Sequence, residues 1–151
     1  MLREFVESKH YKFADGAKDW KDAIRMSCEP LEADGTVEAN YKEDIIKCVE
    51  KYGPYIVIVP NVAMPHSQEG AEGVNKTAIS FMKLENPVSF EPGDPEKDAQ
   101  LFFTLASCNP EQHLDNMSRL SEMLMNEELL EALAKAKTAE DLLELQKKYV
   151  D

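Results

Sequence analysis

The stretch from Gly53 to Ser67 constrains the fold more than any other part of this 151-residue chain. Gly53-Pro54 breaks the element before it. Tyr55-Ile56-Val57-Ile58-Val59 then runs without a charged or amide side chain and is rich in β-branched residues. That pattern predicts a strand covered on both faces. Pro60 has no N–H to give to a ladder, so the strand stops there or lies at an edge. The following residues lead to Met64-Pro65-His66-Ser67. Pro65 fixes its own φ and biases Met64 toward an extended backbone. His66 therefore ends a stiff, mostly apolar approach, with small polar residues beyond it. A reactive side chain is displayed in this way, although the pattern alone also fits an ordinary loop histidine.

The rest of the chain falls into place around this stretch. Residues 1–16 read as polar and irregular, with His10 exposed. Asp19 with Asp22 opens a helix in which Trp20, Ala23, Ile24, Cys28 and Leu31 form a stripe. Pro30 is expected to kink or shorten its last turn, and Asp34-Gly35 to end it. A second helix is expected over 38–51, with Tyr41, Ile45, Cys48, Val49 and Tyr52 inward. Strands are expected over 77–84 and 100–108, a short edge strand over 86–90, and a loop over 91–98. Asn109, Pro110 and Gln112 give a strong helix start, with the helix running to about Met125. Asn126 caps a further helix, and Thr138 with Asp141 opens the last. Strands grouped between helices predict one α/β domain over 1–151, a mixed sheet with helices on both faces.

Composition excludes several partners. The net charge of −12 opposes nucleic-acid binding, which relies on cationic surfaces, and anionic lipid would repel it. No apolar run approaches the roughly 20 residues of a membrane span, and the N-terminus lacks a signal-peptide pattern. A cytoplasmic protein without membrane insertion is expected. Cys28, Cys48 and Cys108 form no paired or metal-binding spacing and read as buried small hydrophobes.

His113 lies in the first turn of the helix after the 100–108 strand, and His66 also follows a strand. If the two strands are parallel neighbours, both imidazoles reach one crevice at their carboxyl ends. A helix N-terminus there favours an anion. The simpler alternative for His113 is a locally bonded core histidine. A metal would need a third ligand from Glu69 or Glu72, on the glycine-containing loop Ser67–Gly73, and no metal or cofactor is expected. Ser67 adjoins His66, but no nucleophile-elbow motif is present. A lone imidazole as nucleophile fits more easily, because its neutral form attacks well near pH 7 and can be loaded and unloaded. Phosphoryl transfer needs mainly positioning and charge stabilisation from the protein.

The ordered set Gly53-Pro54-Tyr55 through Val59-Pro60, Ala63-Met64-Pro65-His66, Asn86-Pro87-Val88, Phe102-Phe103-Thr104-Leu105-Ala106 and Gln112-His113 resembles a known family. Trp20 with Asp22-Ala23 and Gly73-Val74 with Lys76-Thr77 add to it. These residues resemble enzyme IIA components of the bacterial sugar phosphotransferase system, in the mannitol/fructose superfamily and nearest its ascorbate-type branch. The resemblance implies a mixed five-stranded sheet flanked by helices. It implies that His66 accepts a phosphoryl group from HPr and passes it to a IIB component, which works with a IIC permease in sugar uptake. It implies that His113 contacts the phosphoryl group. The alternative is a regulatory module of the same fold, acting on transcriptional or kinase partners.

Two departures stand out. Ser67-Gln68 replaces the glycine that many relatives place after the histidine. The helix before the strand lacks the arginine that mannitol-type relatives carry there; the region reads Lys47-Cys48-Val49-Glu50-Lys51. Ser67, Lys51 and Lys76 are therefore the candidate binding residues, and the cation that steadies the phosphoryl group is Lys51, Lys76 or no side chain at all. Val62 and Met64 are either part of a docking surface or core.

Overall fold

Apolar side chains alternate across the central strands, and helices bury both faces. The computed structural model describes residues 1–67 and 72–151. Its elements are α1 (Leu2–Ser8), β1 (Tyr11–Ala14), α2 (Trp20–Ala33), α3 (Asn40–Tyr52), β2 (Val57–Val59), β3 (Asn61–Ala63), β4 (Ala78–Ser89), β5 (Asp98–Ala106), α4 (Pro110–Leu124), α5 (Glu127–Lys135) and α6 (Ala139–Leu145). The five strands lie in the order β1-β4-β5-β3-β2. β1 with β4 and β3 with β5 are parallel, while β4 with β5 and β2 with β3 are antiparallel. The protein is thus α/β with a mixed sheet.

Helices α2 and α3 cover one face, where Ile24, Leu31, Ile45 and Val49 join Met82, Leu84 and Phe102 in one cluster. Helices α1, α4, α5 and α6 cover the other, where Leu2, Phe5, Leu120, Leu133 and Leu142 join Phe81, Phe103 and Leu105. Neighbouring residues such as Phe81 and Met82, or Phe102 and Phe103, go to opposite clusters, as a period of two requires. Each large apolar side chain so buried contributes about 1.5–3 kcal/mol. Among the described residues, no helix is long and apolar enough to cross a membrane.

Helix starts follow the predicted chemistry. The side chains of Asp19, Asn109, Asn126 and Thr138 each accept from the backbone N–H three residues on, satisfying donors that a helix start leaves unpaired. Thr138 and Asp141 complete the reciprocal box. Pro30 does not end α2, which runs on to Ala33. So near the helix end, its missing N–H removes one ladder bond.

Five expectations are corrected. Tyr52, the last residue of α3, is exposed instead of inward. Residues 1–16 are not irregular: Leu2 and Phe5 bury one side of α1, and Gln146 Oε1 accepts from the Leu2 N–H at 3.0 Å. His10 is not exposed; only 8% of it is accessible, and its Nε2 lies 2.7 Å from Asp34 Oδ2. The segments 77–84 and 86–90 form one strand, β4, whose pairing with β5 skips between Lys83 and Val88. The irregularity takes up Pro87, which has no N–H for the ladder. Finally, Tyr55–Val59 is not a central strand. Tyr55 and Ile56 lie in a turn, β2 spans only Val57–Val59, and it occupies the sheet edge with Ile58 49% accessible. The inner strand is β3, reached through Pro60 and Asn61, whose φ of 73° reverses the chain.

Candidate active site

Parallel neighbours β3 and β5 bring the two histidines together. Ala63 stands opposite Phe102, and the pairing continues beyond β3. The Met64 N–H donates to Ile56 O at 2.8 Å, and the Leu105 N–H donates to Pro65 O at 2.9 Å. His66 thus leaves the sheet from backbone tied on both sides. β5 ends at Ala106, and α4 begins after three intervening residues. Thr77 Oγ1 accepts from the N–H groups of Cys108 and Asn109 at 3.0 and 3.1 Å, which fixes that junction. The His113 N–H donates to Asn109 O at 3.0 Å, placing its ring in the first turn of α4.

Both rings line a cleft of about 390 Å³, together with Tyr41, Ser67, Leu105 and Cys108. A wider groove of about 700 Å³ lies at the other end of β3, walled by Val59, Pro60, Val62, Leu101, Leu124 and Leu130. Neither imidazole nor thiol lines that groove, so the smaller cleft is where histidine chemistry is available.

The His66 ring is oriented by its surroundings. Nδ1 lies 2.5 Å from Met64 O. A carbonyl oxygen only accepts, so Nδ1 carries the proton and Nε2 keeps its lone pair. Burial holds the imidazole pKa below its ordinary value; the Met64 carbonyl opposes this, and the charge of a protonated His113 adds to it. The ring is therefore neutral and nucleophilic near pH 7. The Tyr55 ring meets it edge to face at 5.1 Å and 88°, and the Tyr55 hydroxyl donates to His66 O. On the far side, the buried Tyr41 hydroxyl donates to Leu105 O at 2.6 Å. Burial pushes the Tyr41 phenol well above its ordinary range, while the nearby Ser67 N–H pulls the other way.

The predicted binding residues divide. Ser67 lines the cleft, with its hydroxyl 3.7 Å from Cys48 Sγ. Lys51 and Lys76 are exposed and are not brought to the cleft wall. The Lys51 ammonium lies 5.1 Å from the Tyr52 ring centroid. Arg3, Arg25 and Arg119 pair with Asp151, Glu43 and Glu4. Among the described residues, the cleft lining has no lysine or arginine. The local positive field comes from the α4 N-terminus. Val62 and Met64 are buried, at 1% and 2% accessible, which settles them as core. Cys108 is exposed, contrary to expectation, because it follows the strand instead of ending it. Among the described residues, no group of three or more His, Cys, Asp or Glu could hold a metal ion. Glu69, and the loop through residue 71, lie outside the described residues.

Sequence reading missed Tyr41 and Tyr55 as parts of this site. Both were read as apolar positions, and only the tertiary contact reveals their hydroxyls as working groups.

A family model described as "Phosphoenolpyruvate-dependent sugar phosphotransferase system, EIIA 2" matches residues 4–149. The ascorbate-specific PTS system EIIA component of Escherichia coli (strain K12) is 30% identical over 141 residues, covering 93% of this chain and 90% of that protein. The mannitol-specific cryptic phosphotransferase enzyme IIA CmtB from Escherichia coli superposes with a TM-score of 0.83 at 31% identity, over 97% of this chain and 98% of that one. Mannitol IIA from Escherichia coli, solved in complex with phosphorylated mannitol IIB, matches with a TM-score of 0.78 at 26% identity, over 93% and 95% of the two chains.

Proposed function

We propose, from the premise that this chain belongs to the EIIA type-2 family of the phosphoenolpyruvate-dependent sugar phosphotransferase system, that it is a histidine phosphocarrier acting through His66. The Nε2 lone pair attacks the phosphorus carried by a phosphohistidine of HPr. The old P–N bond breaks, and its electron pair returns to the HPr imidazole. The loaded ring of His66 gains positive character, which the Nδ1–H bond to Met64 O offsets. The phosphoryl group then passes to a nucleophilic cysteine or histidine of a IIB component. His113 and the α4 N-terminus face the cleft, where they hold the phosphoryl oxygens as the group passes on to IIB. Ser67, at the cleft wall, is within the same shell. Lys51 and Lys76 have no part in this reading.

The observation that carries it is an imidazole with Nδ1 tied and, among the described residues, no hydrogen-bond partner on Nε2, beside a second imidazole. The full-length similarity to ascorbate-specific components supports an ascorbate-type system, with its IIC permease, as the route served. The test supplies phosphoenolpyruvate, enzyme I and HPr, and reads an acid-labile phosphoryl group by intact mass. His66→Ala is expected to take up none; uptake by that variant rejects the assignment. Discharge by an ascorbate-type IIB, faster than by a mannitol-type IIB, is expected. The reverse order rejects the ascorbate route.

A further inference from the structure

We propose that Tyr41 and Tyr55 are positioning residues of the His66 site, acting together on the single peptide unit between His66 and Ser67. The carbonyl of that unit accepts the Tyr55 hydroxyl. Ser67 and Tyr41 line the same cleft wall, where the N–H acts on the phenol, and the Tyr41 hydroxyl donates its proton to Leu105 O at 2.6 Å. Tyr41 stands in the first turn of α3 and Tyr55 just past its end, so one helix supplies both supports. Because the peptide is planar, holding its two polar atoms fixes ψ of His66 and φ of Ser67. Two further contacts fix the ring itself: Nδ1 at 2.5 Å from Met64 O and the edge-to-face packing on Tyr55 at 5.1 Å. Neither phenol needs to touch the phosphoryl group. Each acts through the backbone that aims Nε2.

The consequence is kinetic. Transfer between two imidazoles depends on alignment, and a displacement of about 1 Å can cost about 100-fold. It also predicts coupling: two groups acting on one rigid unit do not contribute independently. The activity assay rests on the phosphocarrier reading above, whereas the spectroscopic assay does not.

The experiment compares wild type with Tyr41→Phe, Tyr55→Phe, the double variant and Tyr55→Leu. Each protein's thermal midpoint is recorded so that rates refer to folded material. Transfer from phosphorylated HPr is resolved into the saturated rate and the half-saturating HPr concentration, and His66 is followed by ¹⁵N NMR. Each phenylalanine variant is expected to lower the saturated rate about 10-fold with the half-saturating concentration unchanged. The double variant is expected to be about as slow as the slower single. Tyr55→Leu, which also removes the ring contact, is expected to be slower than Tyr55→Phe. In the spectra, wild type is expected to show one Nδ1–H tautomer, and the variants a mixture. Wild-type saturated rates in both phenylalanine variants, or a double variant at the product of the single effects, overturn the proposal. Should Tyr41→Phe not fold, Tyr55→Phe decides alone. If wild type accepts nothing from HPr, the phosphocarrier reading falls and the spectra judge the clamp: tautomer mixing in Tyr55→Phe supports it, and unchanged spectra overturn it.

Discussion

The two histidines reach the same cleft by different means. His66 is immobilised: the two residues before it are bonded to Ile56 and Leu105, a carbonyl accepts its Nδ1–H, and an aromatic ring packs on it. His113 rides on a helix start fixed through Thr77 and Asn109. Its half-buried ring makes no hydrogen bond among the described residues. Under the phosphocarrier function proposed above, the difference suits a division of labour. A group that must strike phosphorus in line gains from a single orientation. A group that must follow oxygen atoms as they move from one protein to another gains from rotational freedom.

The largest effect that would break this contrast is on the two rings themselves. His66→Gln is expected to abolish loading. His113→Gln is expected to load almost normally but to discharge to IIB about 10- to 100-fold more slowly, read by rapid-quench transfer assays. Equal losses in the two variants would erase the distinction.

Next comes the hinge behind the His66 platform. Gly53 has φ 82° and ψ −176°, a region that only glycine occupies without strain. Gly53→Ala is expected to cost about 1–3 kcal/mol in urea unfolding and to slow loading of His66 more than it alters any property of His113.

A smaller effect is expected from pH. The folded pKa of His66 lies below its ordinary 6.5, so the unfolded chain binds the proton more readily. Stability from this group is full above pH 6.5 and is lost as pH falls toward the folded value. Loading is expected to persist below pH 6.5, where a free histidine is half protonated, and a pH–rate profile with its acid limb at or above 6.5 would contradict this. The smallest effect belongs to Asp34. Despite partial burial, the Thr36 hydroxyl and His10 hold its carboxyl at about 2. Its contribution is present above pH 3.8 and lost as pH falls through about 2. Asp34→Asn is therefore expected to flatten the acid end of a melting-temperature profile and leave phosphoryl transfer unchanged.

Legibility in the sequence followed the range of the interaction. The caps at Asp19, Asn109, Asn126 and Thr138 were readable because donor and acceptor lie within one turn. The parallel approach of the two histidine-bearing strands could be stated only as a condition on Tyr55–Val59 and the 100–108 strand; the structure meets it with β3 instead, while β2 lies antiparallel at the sheet edge. β3 was invisible: three residues after a proline, opened by a left-handed Asn61, carry no strand signature. β1 looked irregular because its partner, β4, lies far along the chain. The lysines offered as phosphoryl partners were chosen by proximity in sequence to His66 or α3, and neither is among the described residues that line the cleft. Tyr41 and Tyr55 passed as filling because an apolar ring and a working hydroxyl share one letter.

The ladder that continues past β3 has a consequence for heat. Breaking the bonds from Met64 and Leu105 means prising β3 from both β2 and β5, which is the opening of the sheet itself. Amide exchange at these residues should therefore be as slow as anywhere in the interior. Warming such a protein will not fray the reactive end first: the capacity to carry phosphorus and the fold should vanish in one melting step.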